Sequence, residues 1–214
     1  IVRQTNDLRR IVDEFSRFAR MPAPERKPLD VTRLVSDAVV LQEAGRPDIS
    51  YALELPDHAI LAQLDGTMIG QALTNLLKNA AEAIDEMKAS DPDGAGEIRV
   101  ALGTSDDAVT IDIQDNGAGL PDQPSRLFEP YVTHREKGTG LGLPIVKKII
   151  EEHGGTLELI PAPPFTEGAH AGAWARIVLP QAGAGVSDPE PATGQGATEN
   201  EKNRITEKLR ESMR

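Results

Sequence analysis

Residues 65–88 carry the pattern that most restricts the fold. Asp65 is placed to cap a helix that runs to about Lys88. At about 100° per residue, Ile69, Leu73, Leu77, Ala80, Ile84 and Met87 fall in one apolar stripe, and Asn75, Asn79, Glu82 and Glu86 in a second stripe opposite. The apolar stripe needs a layer to cover, and the flanking segments supply one. ISYALEL (49–55) alternates as a strand does, and EIRVALG (97–103) and AVTIDIQ (108–114) make two strands around a Ser-Asp-Asp turn. GTLELI (155–160) and AWARIVL (173–179) make another pair. Two further helices are expected: one capped by Asp30 with Val31, Leu34, Val35, Ala38 and Leu41 along one side, and one from about Leu143 to His153. Short turns between adjacent strands imply an antiparallel or mixed sheet. The prediction is an α+β fold, a two-layer α/β sandwich with the helices covering one face of the sheet.

The polar stripe is unusual chemistry for a solvated helix face. Asn is a poor helix-interior residue, and Glu, Lys or Gln would meet solvent better. Two Asn at i, i+4 waste propensity unless their amides bind something. The carbonyl oxygen of Asn is a neutral, hard ligand suited to Mg²⁺, and its NH₂ can donate to a phosphate oxygen. A second signal is IDIQDNGAG (111–119), a strand ending in Asp115 and followed by Gly117 and Gly119. A carboxylate at a buried strand end can accept from an exocyclic amine such as that of adenine, and the glycines allow the backbone close to a ligand. The same residues also suit an ordinary turn. The third signal is GTGLGL (138–143) directly before a helix. Its backbone N–H groups and the helix N-terminus suit phosphate. It follows no strand, so a dinucleotide-binding βαβ unit fails on context, and it lacks the Gly-Lys-Ser/Thr ending of a P-loop.

In this order, the three signals resemble the N, G1 and G2 boxes of sensor histidine kinases. RLFEPY (126–131) resembles the F box and HGG (153–155) a G3-like element, and the likeness runs from about Leu29 to Pro180. VDEFSRFARMPAPE (12–25) and EPYVTHREKGTGLGLPIVKKIIEEHGG (129–155) are most similar to the nitrogen-regulation, NtrY-type kinases. The resemblance implies the Bergerat ATP-binding fold of the GHKL group, with ATP and Mg²⁺ as cofactors. It assigns Asn79 to Mg²⁺, Asn75 to the phosphate side, Asp115 to the adenine amine, and Gly117 and Gly119 to the approach to the base. Gly138, Thr139, Gly140, Leu141 and Gly142 would wrap the triphosphate. Residues 120–140 would be the ATP lid, anchored by Phe128, and Lys78, Arg135 and Lys137 are candidate phosphate partners. His134 reads as a lid residue without a catalytic role.

The resemblance also marks what is missing. The family's phosphoacceptor His lies in an H box on the first helix of a dimerisation bundle. The histidines here are His58, His134, His153 and His170, and none has an H-box context. Residues 1–20, with Ile1, Leu8, Phe15, Ile11 and Phe18 at heptad-like spacing, are expected to be the end of the second bundle helix. Residues 21–28, with three prolines, read as a linker, 29–180 as the catalytic ATP-binding domain, and 181–214 as a disordered tail in which Ile205, Leu209 and Met213 keep the spacing of one short helix. The implied partners are the chain's own dimerisation domain and a response regulator of the NtrX type, in a homodimeric parent.

Composition agrees with that class and narrows it. A net charge of −11 argues against nucleic-acid binding, whereas ATP brings its own counter-charge with Mg²⁺. Cysteine is absent, which fits a reducing cytoplasm, and no apolar run reaches the ~20 residues of a membrane span. The expected location is the cytoplasm, with the parent kinase anchored in the inner membrane. Two other functions compete: an ATPase of the gyrase, Hsp90 or MutL kind, and a non-enzymatic nucleotide-sensing module. The ATPases place a Glu where Asn75 stands, and an amide cannot activate water as a base. A sensing module is expected to lose a box, and every box is present.

Overall fold

In the computed structural model, residues 21–105, 107–132, 139–166 and 171–181 are described. The expectations for 1–20 and 182–214 lie outside them. Asp30 caps the first helix, α1 (Val31–Gly45), accepting from the Arg33 N–H at 3.3 Å. Its buried stripe is Val31, Val35 and Val39, an i, i+4, i+8 series, so Leu41 is 67% exposed rather than buried as expected. Asp65 caps α2 (Gly66–Ser90) through two backbone N–H groups, Thr67 and Met68. The third helix, α3, is Gly142–Glu152.

Seven strands accompany them: β1 (Lys27–Asp30), β2 (Ile49–Glu54), β3 (Leu61–Leu64), β4 (Gly96–Thr104), β5 (Ala108–Asp115), β6 (Thr156–Pro161) and β7 (Ala173–Pro180). β2, β4, β5, β7 and β6 form one sheet in that order, and β1 and β3 form a two-stranded antiparallel ribbon. The large sheet is mixed. β2 and β4 run parallel because α2 is the crossover between them, and the remaining pairs are antiparallel. The linker expected at 21–28 ends early, since Lys27 and Pro28 already pair with Leu64 and Gln63.

Strand alternation builds the second layer. Val109, Ile111 and Ile113 of β5 and Ile98, Val100 and Leu102 of β4 are buried on one face. The helices cover that face, with Ile69, Leu73, Leu77 and Ile84 of α2 fully enclosed in the same core. Asp115 is the next residue of that inward series, two after Ile113. The pleat therefore carries a carboxylate beneath the helix layer, where it is 5% exposed. The opposite face of the sheet is polar: Asp112 accepts from Trp174 Nε1 at 2.9 Å and from Arg176 Nε at 2.8 Å.

α2 and α3 lie side by side and run antiparallel. At one end the Asp65 N–H donates to His153 Nε2. At the other, a Cβ built on Gly142 would lie 4.0 Å from Asn79 Oδ1.

Candidate nucleotide-binding cleft

A cleft of about 560 Å³ opens between α2, the end of β5 and the N-terminus of α3. That volume lies within the range of sites for molecules of nucleotide size. The sequence explains each wall. On α2, the polar stripe Asn75, Asn79, Glu82 and Glu86 lines it together with Lys78, so the second stripe is a wall and not a solvated face. Lys78 is largely exposed and lies 3.8 Å from Glu82, one turn on.

The floor is the end of β5. Asp115 Oδ1 accepts from the N–H of Gly117 at 2.9 Å and of Ala173 at 3.3 Å, which fixes the carboxylate at the base of the cleft. Asn116 turns away: it accepts from the Glu97 N–H at 2.8 Å and donates to the Ala95 carbonyl at 2.7 Å, holding the loop to the start of β4. Gly117 does not line the cleft. It is pressed against α2, where a Cβ would lie 2.5 Å from the Ala83 carbonyl carbon, and the next N–H, of Ala118, donates to the Ala83 oxygen at 3.0 Å. Gly119 does line the cleft and has φ of 81°, a conformation that glycine adopts without strain.

The third wall is the segment before α3. Thr139, Gly140 and Gly142 line the cleft, while the side chain of Leu141 is fully buried in the core and anchors the segment. Gly140, with φ of 67°, meets Tyr131, whose N–H donates to the Gly140 carbonyl at 3.1 Å; a Cβ on Gly140 would strike the Tyr131 backbone. Apart from the Asn79 oxygen, Gly142 has nothing within 4 Å of a Cβ position, so a side chain there would project into the space between α3 and Asn79. The ~560 Å³ cleft, its two glycine-lined rims and the polar α2 wall fit a nucleoside triphosphate. Phe128 ends a 3-10 helix (Pro124–Phe128) at the cleft's edge and stacks under Lys147 of α3, whose Nζ is 5.1 Å from the ring centre. Arg135, Lys137 and Gly138, and His134 beside them, lie outside the described residues.

One contributor escaped the sequence reading. Gly172 lets the chain before β7 cross Asp115 at backbone contact, because a Cβ there would overlap the Asp115 carbonyl oxygen. That approach is what brings the Ala173 N–H to the carboxylate. The only sequence signal was a glycine just before the last strand, indistinguishable from a turn residue.

Comparison with known proteins agrees with the geometry. The chain is 50% identical over 180 residues to the nitrogen regulation protein NtrY of Azorhizobium caulinodans, covering 84% of this chain and 22% of that relative. It thus spans about a fifth of the length of that curated relative. Among solved structures, the mycobacterial sensor histidine kinase MprB superposes with a TM-score of 0.60 at 28% identity, covering 73% of this chain and 97% of that one. A nucleotide-free catalytic domain of the histidine kinase ThkA superposes with a TM-score of 0.60 at 25% identity, covering 73% and 96%. Residues 64–183, from the end of β3 past β7, match the model of the histidine kinase-, DNA gyrase B- and HSP90-like ATPases, and the chain belongs to that family.

Proposed function

We propose that this chain is the ATP-binding catalytic domain of an NtrY-like sensor histidine kinase, which moves the γ-phosphoryl of ATP to a histidine on its dimerisation domain. The observation that carries this is the amide wall. Asn75 and Asn79 face the same cleft as Asp115 and the glycines before α3, and an amide stands where a hydrolysing relative needs a basic carboxylate. Asp115 would take the adenine amine, Gly119 the approach of the base, and Gly140 and Gly142 the phosphates. Lys78, Arg135 and Lys137 are the cationic candidates near those phosphates, and Gly117, Phe128 and Leu141 hold the walls in place.

Mg²⁺ fits this site only together with the nucleotide. Among the described residues no group of three or more His, Asp or Glu could hold a metal, so an ion on the Asn79 oxygen would take its remaining ligands from phosphate and water. When bound it would neutralise phosphate charge. The protein contributes mainly position and electrostatics, which is the usual division in phosphoryl transfer.

The phosphoryl group would pass from the histidine to an Asp of a response regulator of the NtrX type. The parent would act as a homodimer with this domain in the cytoplasm and an anchor in the inner membrane. Among the described residues no helix is long and apolar enough to cross a membrane. The test is incubation with radiolabelled ATP and Mg²⁺, with and without the parent's separately expressed dimerisation domain. The expected product is acid-labile, base-stable label on the added domain. Phosphate release without label on either partner would favour the ATPase alternative and overturn the kinase reading.

A further inference from the structure

The helix pair that walls the cleft is fastened at its far end by a joint that has no part in nucleotide contact. His153 is 1% exposed, and both ring nitrogens are committed. Nε2 accepts the Asp65 N–H at 3.0 Å, so Nδ1 carries the proton and donates to the Ile149 carbonyl at 2.7 Å. The imidazole thereby bonds the first residue of α2's cap to the last turn of α3. Two residues from the segment before β1 close on the same point. The Glu25 N–H donates to Asp65 Oδ2 at 3.0 Å, and Arg26 Nη2 donates to the Glu152 carbonyl at 2.7 Å. One contact is to each helix, at the end remote from the cleft; Asn79 lies 14 residues along α2 from Asp65, about 20 Å.

We propose that His153 is a positioning residue for the nucleotide cleft, and that Glu25 and Arg26 form the contact through which the preceding segment acts on it. α2 carries Asn75 and Asn79, and α3 begins at Gly142, so the width between Asn79 and Gly142 depends on how the two helices are set against each other. Helices packed by side chains move as stiff bodies, and a shift at the His153 end is delivered to the Gly142 end. Asp65 is the natural centre of such a joint. Its carboxylate receives Thr67, Met68 and Glu25 while its own N–H holds His153, so moving residue 25 disturbs the α2 cap and the α3 link together. By thermodynamic reciprocity, nucleotide in the cleft must tighten the joint by the same factor that the joint tightens the nucleotide.

This inference rests on the nucleotide reading of the cleft, and the test separates the two. Mg-ADP affinity is measured by calorimetry for the full chain and for Arg26→Ala, Arg26→Lys and His153→Gln. Amide exchange at Glu25 and Asp65 is followed by NMR with and without saturating Mg-ADP. Arg26 is exposed and remote from the cleft, so Arg26→Ala keeps the test valid even if His153→Gln fails to fold. The expected result is about fivefold weaker binding for Arg26→Ala, partly restored in Arg26→Lys, with an unchanged unfolding midpoint and slower exchange of both amides on nucleotide binding. Wild-type affinity in Arg26→Ala, with protection confined to residues lining the cleft, would overturn the inference alone. A wild-type chain that does not bind Mg-ADP would overturn it together with the nucleotide reading.

Discussion

The Asp65 N–H and the His153 Nε2 are 3.0 Å apart although 88 residues separate them in the chain. The bond is possible only because the two helices that wall the cleft meet antiparallel, cap to C-terminus. Asp65 therefore serves two helices, and it should be expensive to replace. Asp65→Ala removes three backbone acceptor contacts at once and is expected to lower stability by about 1–2 kcal/mol at neutral pH. Burial would raise the Asp65 carboxyl, but the N–H groups of Met68, Glu25 and Thr67 outweigh it and hold it below the ordinary value. A depressed value in the folded state gives stability that is fully present above the unfolded value, about 3.9, and lost as pH falls through the folded one. The gap between wild type and Asp65→Ala in urea unfolding should narrow as pH drops below about 4. A gap that stays constant to the acid limit would contradict the assignment.

Asp115 should act on base identity more than on folding. Asp115→Asn keeps an oxygen that can accept from Gly117 and Ala173, so thermal stability is expected to change little. Binding of an adenine nucleotide is expected to weaken by about tenfold, because the charge-assisted acceptor is replaced by a neutral amide. Parallel titrations with ADP and GDP check this: the preference for ADP should shrink in the variant. Equal loss for both nucleotides would remove Asp115 from base recognition.

Glycine substitutions separate close packing from mere sequence pattern. In Gly117→Ala the new methyl would sit 2.5 Å from the Ala83 carbonyl carbon, so the loop or α2 has to move, at a cost of about 1–3 kcal/mol. Gly103, in β4, has nothing within 4 Å of a Cβ, and Gly103→Ala is expected to be neutral or to stabilise by about 0.5–1 kcal/mol. Chemical denaturation of both variants decides it, and a Gly117→Ala protein as stable as Gly103→Ala would contradict the packing described.

The elements with strong periodicity are legible in the sequence alone. The α2 stripe, the β4–β5 pair and the β6–β7 pair were readable because each repeats its apolar residues at the period of its backbone. β1 and β3 were not, since each has only four residues, and Pro28 in β1 argues locally against a strand. Its pairing with β3 is a tertiary fact. Leu41 is exposed because Val39 and Leu41 flank the Val31–Val35–Ala38 line on opposite sides of the helix, about 200° apart, and only packing decides which flank is covered. In the cleft, Asn75, Asn79, Asp115, Gly140 and Gly142 stood out by residue type and place. Gly172 and the His153 joint did not, because their meaning lies in what crosses or meets them from distant parts of the chain.

The central claim is that a nucleotide with its metal is held between Asn79 and the glycines before α3. It is tested most directly by calorimetric titration of ADP into the chain and into Asn79→Ala, each with and without Mg²⁺. The wild-type chain is predicted to bind ADP more tightly with Mg²⁺ than without. Asn79→Ala is predicted to lose about tenfold in the Mg²⁺ titration while binding metal-free ADP almost as wild type does. Identical affinities for the two proteins under both conditions would contradict the account.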